Sequence, residues 1–466
     1  MGKPRVGLLF NHDWDALGFG RLAGQFHFDE AGFDLFSFPS NARLVGFDLD
    51  RFAARQARRA ELQGWAGVVS HNEQFGALAA ALVAERAGLP GTPVAAILAC
   101  QHKLHARQVL QQACPEANLP FAPLDAHYGG AVPAGLAYPA YVKPVKAAFS
   151  VLARRVDSQA DLHLHTRFGR RELWVIRRLV EPFERVARQR LPQAGSAHRM
   201  LLEAPVQAAQ FNLDGWVHQG RAHALGVVDA VMYPGTQAFM RWEHPSRLSA
   251  AVQARALDVA QRFLTAVGFS HGMFNLEFFH DPATDRLTVI EVNPRLASQF
   301  SDLYRRVHGL DPHAMSLALA LGQDPAALPR GAALGGAAAS LVYRALLPGS
   351  TPAMPSAARQ AALMRRHPDA LLFCFPKSGH SLARDFKWLG SHRYGILHLH
   401  GQDAAQLKRR AEAASSLLGW PAPYADRLID GMADRQTDRH TDRPGQALPG
   451  PALPDSPHQL LPGAQP

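Results

Sequence analysis

The sequence predicts an α/β (α+β) protein in which a Rossmann-like N-terminal domain precedes a larger domain built around a β-hairpin. Strand-like and helix-like segments alternate through residues 1–95, the pattern of a parallel sheet with helical connections. Residues 274–295 contain two strand-like runs, NLEFF and LTVIEVN, around the turn sequence DPATDR. These two observations decide the fold class, and the remaining elements follow from them in chain order.

The composition is that of a soluble globular protein with several domains. The chain has 466 residues, of which 47% are hydrophobic and 19% charged, and is too long for one core. Its three cysteines form no C-x-x-C pair, which argues against a structural zinc site and favours a cytoplasmic location. We expect no signal peptide and no membrane span, because no apolar stretch is long enough. The net charge of +10 comes from dispersed arginines without a nucleic-acid motif, so we expect no nucleic-acid partner.

In the N-terminal domain the alternation predicts strands at 5–10, 33–38 and 65–70, helices at 53–62 and 73–87, and an apolar run at 93–100 that is strand-like or buried. Loops that follow the strands of a parallel sheet tend to line ligand crevices. Residues 11–19 are therefore a predicted substrate-facing loop.

Further along, the patterns predict both helices and strands: strands at 138–143, 200–206, 337–347 and 394–399, helices at 177–191, 247–268 and 404–418, and a hairpin at 214–232 that turns at Gln219-Gly220. From about residue 425 the sequence is repetitive and rich in proline, so a disordered tail is expected. The predicted boundaries are 1–95, 96–325 with a lid subdomain at about 136–205, 326–424 for a small C-terminal lobe, and 425–466 for the tail.

The hairpin places two glutamates in opposition. If its turn centres on Thr284, Glu277 faces Glu291 and Asn275 faces Asn293. Two carboxylates about 5 Å apart repel by about 3 kcal/mol at an effective dielectric of roughly 20. A divalent cation removes that repulsion, and Mg²⁺ favours one or two carboxylates together with substrate phosphates. The alternative is a register slipped by one residue, which leaves both glutamates as solvated surface groups.

Glu277 followed by Glu291-Val-Asn293-Pro-Arg295 resembles the metal-binding hairpin of the ATP-grasp superfamily, with most likeness to its carbamoyl-phosphate synthetase and biotin carboxylase branch. The resemblance implies ATP and two Mg²⁺ (or Mn²⁺) ions as cofactors, with Glu277, Glu291 and Asn293 as metal ligands. It also implies a catalytic role for Arg295, which would steady the transferring phosphoryl group or the intermediate. Matching motifs extend over about residues 95–325 in the family's order.

Two lysines resemble the family's phosphate-binding lysines. Lys103 lies in the phrase HKLHARQVL, and Lys143 ends the apolar strand YPAYVK. A lysine on a partly buried strand needs an anionic partner, because an unpaired buried cation is costly. The resemblance implies that both lysines hold ATP phosphates and that Lys143 also serves catalysis.

The run MLLEAPV resembles the family's adenine-binding hinge. By that resemblance, Glu203 contacts the adenine amino group and the backbones of Ala204 and Val206 bind the adenine edge. Gln210 stands where many members use glutamate for the ribose hydroxyls, and its amide is still able to bond a hydroxyl.

Two departures from the biotin carboxylase pattern bear on the chemistry. Their glycine-rich loop is replaced by Ala147, Ala148 and Ser150, and the Glu-His pair that follows their arginine is replaced by the sequence LASQF. The resemblance therefore implies a ligase in which a carboxylate attacks the γ-phosphate of ATP and an amine or other nucleophile then displaces phosphate. A bicarbonate-dependent carboxylase and a non-catalytic nucleotide-binding regulator are the alternatives. Both substrates are expected to be small molecules, and the oligomeric state is open, with a homodimer as one alternative.

Overall fold

The structure is a computed structural model that describes residues 2–11, 13–35, 40–147 and 152–424. The predicted tail at 425–466 and the last residues of the strand predicted at 33–38 lie outside these ranges, as do Ala148 and Ser150. Within the described ranges, no helix is both long and apolar enough to cross a membrane.

The N-terminal residues form a three-stranded parallel sheet with the strand order β2-β1-β3, as the alternating pattern predicts. Helix α2 begins after Asp48, whose side chain accepts a hydrogen bond from the N–H of Arg51, and ends at Gly64 with a φ of 64°. The elements are β1 (Arg5–Leu9), α1 (Asp13–Gly20), β2 (His27–Ala31), α2 (Leu49–Gln63), β3 (Trp65–Val69), α3 (Gly76–Ala87) and α4 (Val94–Gln101).

Three predictions in this region are corrected. The second strand is β2, upstream of residues 33–38, because this edge strand carries the polar sequence HFDEA and gives no apolar signal. The run at 93–100 is buried, as one alternative had it, but it forms helix α4 and not a strand. A short apolar run does not distinguish a buried helix from a buried strand. Residues 13–19 of the predicted loop at 11–19 belong to helix α1 (Asp13–Gly20).

The next elements build a four-stranded antiparallel sheet with the order β4-β7-β5-β6. The charged helix predicted at 177–191 is longer than expected and begins at Arg170, where Glu172 accepts a hydrogen bond from the N–H of Gly169. The elements are α5 (Lys103–Ala113), β4 (Phe121–Leu124), β5 (Ala140–Pro144), β6 (Arg154–Val156), α6 (Gln159–Thr166), α7 (Arg170–Arg190) and β7 (Met200–Glu203).

An eight-stranded sheet carries the predicted hairpins, in the order β12-β11-β8-β9-β10-β13-β15-β14. The turn at Gln219-Gly220 has φ values of 51° and 78°, the two positive angles that a tight hairpin turn requires. Up to residue 320 the elements are β8 (Ala209–His218), β9 (Arg221–Met232), β10 (Phe239–His244), α8 (Ala250–Ala266), β11 (Gly272–Asp281), β12 (Arg286–Asn293), α9 (Ser301–His308) and α10 (Pro312–Ala320).

The β11–β12 hairpin has the predicted register at its functional end. Asn275 pairs with Asn293 and Glu277 pairs with Glu291, so the slipped register is excluded. Beyond this point Phe278 pairs with Val289, which leaves Ile290 as the extra residue of a β-bulge.

The C-terminal strands extend the same sheet, because β13 pairs with β10 on one side and with β15 on the other. Both strands predicted here are present. A separate cluster of buried side chains lies between these strands and the flanking helices, and Tyr343, Tyr394 and Trp420 are its largest members. The elements are β13 (Ala337–Ala345), α11 (Ala357–Arg366), β14 (Leu371–Cys374), α12 (Gly379–Leu389), β15 (His392–Gly401) and α13 (Ala404–Leu418).

Phe278 tests how much the core beneath the hairpin stabilises the fold. It is fully buried, and its ring stacks on that of Phe211 with 5.7 Å between the centroids. Phe278→Ala should lower the free energy of unfolding by about 3–5 kcal/mol, because it removes an aromatic ring from a packed core. Urea unfolding measures the loss. The control Leu62→Ala, at a position that is 85% exposed, should change it by about 0.5 kcal/mol or less. Equal effects of the two changes would contradict the burial of Phe278.

Candidate active site

The paired glutamates lie on one face of the β11–β12 hairpin, together with Asn293. Burial, followed by the charge of Glu291, raises the pKa of Glu277. Burial also raises the pKa of Glu291, but the charges of Lys103 and Lys143 outweigh it and hold that pKa below its ordinary value. The two carboxyl groups therefore differ in proton affinity, and the repulsion expected from the sequence is present.

The side chains around Asn293 fit a cation. Its amide nitrogen donates to Glu277 Oε1 at 3.2 Å and to Asn275 Oδ1 at 3.3 Å. Within the described part of the chain nothing donates to the side-chain oxygen Oδ1 of Asn293, which leaves that oxygen available as a neutral ligand. Asn275 is itself held by Asp214, to which the Tyr304 hydroxyl also donates. Two carboxylates and one amide oxygen on a supported hairpin are a donor set suited to Mg²⁺.

Lys103 lies in the first turn of α5 and contacts the hairpin directly. Its ammonium nitrogen is 2.7 Å from Glu291 Oε2 and donates to the carbonyl of Ala147 at 3.1 Å. Burial alone would lower the pKa of Lys103, but the charges of Glu291 and Glu73 outweigh it and raise that pKa. Lys103 therefore lies beside the glutamates of the hairpin, while its predicted role in holding ATP phosphates stays a prediction.

Lys143 and Glu203 lie on neighbouring strands and form an ion pair at 2.8 Å. Burial lowers the pKa of Lys143, against the attraction of Glu203. Burial raises the pKa of Glu203, but Arg107 and Lys143 outweigh it, so this carboxylate stays ionised. The lysine predicted to need an anion thus has a protein carboxylate beside it.

Arg107, which the sequence analysis did not select, joins three parts of the site. Its guanidinium is 2.7 Å from Glu203 Oε1 and donates to the carbonyls of Val289 at 2.7 Å and Ile290 at 2.8 Å. It also donates to Asn118 Oδ1 at 3.1 Å. The only sequence signal was its position four residues after Lys103, on the same face of a helix.

Glu73 and Lys146 are two more residues that the sequence analysis missed. Glu73 pairs with Arg295 at 2.6 Å, and its side chain is 6% exposed. Lys146 is buried and donates to the Glu73 carbonyl and to Gln101 Oε1, both at 3.1 Å. Burial lowers the pKa of Lys146 to about 7. The N-terminal domain therefore reaches the hairpin through Glu73, which no local pattern marks.

The residues predicted to bind adenosine lie in two separate parts of the site. Ala204 donates its N–H to the carbonyl of Pro120 at 2.9 Å. In the described residues no hydrogen bond is made by the Ala204 carbonyl or the Val206 N–H, so both are available to a ligand edge. Gln210 instead faces the hairpin, where its amide donates to Glu277 Oε2 at 3.0 Å.

A buried polar cluster explains why the predicted loop at 11–19 folds as a helix. Asp15 Oδ1 lies 2.7 Å from His71 Nδ1 and 3.1 Å from His313 Nε2, and it accepts a hydrogen bond from Ser298 at 2.5 Å. Asp15 is 1% exposed. It therefore ties α1 to the segment after Arg295, and it does not face a substrate crevice.

Glu203 tests the buried charge network through its pH dependence. Glu203→Gln should lower the free energy of unfolding by about 3–5 kcal/mol at neutral pH, because it leaves Arg107 and Lys143 buried without their anion. The folded-state pKa lies below the ordinary 4.5, so the wild-type advantage is complete above pH 4.5 and disappears as the pH falls through the lowered pKa.

Urea unfolding at a series of pH values measures this advantage. The exposed Glu61 gives the control, since Glu61→Gln should have little effect at any pH. A difference between wild type and Glu203→Gln that stayed constant with pH would contradict the assignment.

Comparisons with known proteins test the fold of the chain. L-amino acid ligase from Bacillus licheniformis superposes with a TM-score of 0.65 at 16% identity, covering 89% of this chain and 98% of that one. Biotin carboxylase from Campylobacter jejuni gives 0.57 at 16% identity, covering 89% and 91%. N5-carboxyaminoimidazole synthase from Aspergillus clavatus gives 0.58 at 14% identity, covering 90% and 99%.

In sequence, the chain is 29% identical over 260 residues to carnosine synthase 1 of Gallus gallus. That alignment covers 52% of this chain, which spans about a quarter (26%) of the relative's length. No family model matches the chain. The superpositions confirm the predicted α/β fold.

Proposed function

We propose that this protein is an ATP-dependent carboxylate–amine ligase. The observation that carries the proposal is the convergence of Glu277 and Glu291 with Lys103 and Lys143, a set that matches a metal-bound polyphosphate. Among the proteins that the chain resembles, one is named an L-amino acid ligase and another a carnosine synthase, which supports the ligase proposal. The same proposal includes the two metal ions that the resemblance to the ATP-grasp superfamily implies. It also includes domain boundaries at residues 95, 325 and 424.

Binding follows from the charges. Glu277, Glu291 and Asn293 would hold Mg²⁺, which when bound neutralises charge that develops between the β- and γ-phosphates. Lys103 and Lys143 would exchange their glutamate partners for phosphate oxygens. The Ala204 carbonyl and the Val206 N–H would bind the adenine edge.

The reaction proceeds in two displacements. A substrate carboxylate oxygen attacks the γ-phosphorus, the bond from that phosphorus to the β-phosphate oxygen breaks, and ADP leaves. The amine nitrogen then attacks the acyl carbon, the bond to phosphate breaks, and the amine proton passes to solvent. Arg295, held by Glu73, would stabilise negative charge on the transferring group, and positioning supplies much of the rate.

The direct test is ADP release from Mg-ATP with pooled carboxylates, with and without pooled amines. We expect ADP to appear with a carboxylate and to rise when an amine is added. A separate bicarbonate arm distinguishes the carboxylase alternative, which predicts ADP release with bicarbonate alone. ATP binding without ADP release in any arm would favour the non-catalytic regulator.

Glu291→Gln should reduce ADP formation by at least about a hundredfold, because it removes a charged metal ligand and the partner of Lys103. The steady-state rate of ADP release measures the loss, and circular dichroism checks that the fold is retained. Glu61→Gln serves as the matched control and should keep wild-type turnover. Unchanged turnover in Glu291→Gln would refute the metal assignment.

Glu277→Gln separates metal binding from turnover. The pKa of Glu277 is higher in the folded state than its ordinary value of 4.5. Ionisation of this carboxyl group therefore lowers the free energy of unfolding as the pH rises above 4.5. In metal-free buffer at neutral pH the variant should therefore be at least as stable as wild type. Added Mg²⁺ should raise the melting temperature of wild type more than that of the variant. Thermal unfolding with and without Mg²⁺ measures this, and an equal rise in both proteins would contradict the site.

A further inference from the structure

A cavity of about 490 Å³ opens beside the carboxyl end of β2, away from the residues assigned above. Its walls come from residues 31–33 at the end of β2, from residues 43 and 46–48 before α2, and from the first two turns of α2. Phe33, Phe47 and Phe52 supply an aromatic surface. The volume is within the range of small-molecule sites, and the carboxyl edge of a parallel sheet is where such sites occur.

The cavity is rich in positive charge. Arg43, Arg51 and Arg55 line it, and within the described residues neither Arg51 nor Arg55 forms an ion pair or a side-chain hydrogen bond. Asp48 is the one acidic residue in the lining. Its carboxylate is already used, since it accepts the N–H of Arg51 at 2.9 Å and pairs with Arg185 at 3.3 Å. The unpaired guanidinium groups of Arg51 and Arg55, which line the same cavity as the aromatic side chains, favour an anionic ligand.

Gln56 supplies an independent observation. It lines the cavity and is 7% exposed, yet its Oε1 is buried and has no hydrogen-bond partner in the described residues. A buried acceptor without a donor is costly, and most such groups in folded proteins are paired. If the Gln56 side chain turns into the cavity, a ligand that donates an N–H or O–H would satisfy its Oε1 while the anionic group of that ligand meets Arg51 and Arg55.

The aromatic wall also connects the cavity with the candidate active site. Phe47 packs against Phe75, with 5.2 Å between the ring centroids. Phe75 follows Glu73 by two residues, and Glu73 holds Arg295. The segment that contains Glu73 and Phe75 therefore contacts the cavity through Phe47 and the candidate active site through Arg295. The cavity and the candidate active site have no residue in common.

We propose that this cavity binds a small planar anion, a carboxylate or a phosphate ester on a flat apolar body that also donates one hydrogen bond. The anion lies against Arg51 and Arg55, the flat body against Phe33 and Phe47, and the donor reaches Gln56. This site is separate from the ATP site, so the proposal goes beyond the ligase activity and does not depend on it.

The test uses the full chain without added nucleotide, and the variants described below separate binding in this cavity from binding elsewhere. Ligand-observed NMR measures the binding of 4-aminophenyl phosphate and 4-aminobenzoate, which represent the two sources of the anion. Aniline lacks the anion and should not bind. We expect saturable binding of at least one of the two anions, and the preferred one identifies the class. No saturable binding of either would overturn the proposal.

Variants then locate the binding. The double change Arg51→Ala and Arg55→Ala should weaken binding by roughly tenfold or more, because it removes two charge-assisted contacts. Arg58→Ala lies on the exposed face of α2 outside the cavity and should leave the affinity within about twofold of wild type. Wild-type affinity in the double variant, with its fold confirmed by thermal unfolding, would overturn the site.

Gln56→Leu tests the hydrogen-bond donor. In wild type, 4-aminophenyl phosphate should bind more tightly than phenyl phosphate, which lacks the amine. In Gln56→Leu that preference should disappear while binding of phenyl phosphate remains. An unchanged preference would overturn the role assigned to Gln56.

Discussion

The buried guanidinium of Arg107 holds the structure together around the candidate site. It contacts Glu203 on the four-stranded sheet and the carbonyls of Val289 and Ile290 on the eight-stranded sheet. A buried cation is stable only when its donors are satisfied, so the two sheets must stay in the one arrangement that supplies these acceptors. The bulge at Ile290 presents a carbonyl to Arg107, and thus a local irregularity of β12 serves a contact between sheets.

The charged side chains of the candidate site are paired with one another. Lys103 pairs with Glu291, Lys143 pairs with Glu203, and Arg295 pairs with Glu73. Each of these three cations thus has a carboxylate partner, while the pKa of Glu277 is raised. The proposed entry of a metal-bound polyphosphate would satisfy the lysines with phosphate oxygens and the glutamates with the metal. The same side chains would then be paired in both states, which limits the cost of burying so many charges.

Much of the site could be predicted because its signals are local. The opposition of Glu277 and Glu291 follows from two strands joined by a short turn, where side-chain alternation sets the register. Lys103 and Lys143 could be selected from short motifs. Glu73 could not, because it meets Arg295 from 222 residues away. Arg107 was missed for a similar reason, since its acceptors on the two sheets lie 96 to 183 residues further along the chain.

The sequence by itself determined the α/β class and the hairpin register, because both depend on periodicity or turn chemistry within short segments. Tertiary structure decided that residues 94–101 form a helix, that β13 joins the sheet of the hairpin, and that Asp15 is buried in α1. It also decided which charges meet, including the pairs of Arg107 and Glu73. These outcomes depend on contacts between distant segments, and a pattern within a single segment carries no information about its distant partners.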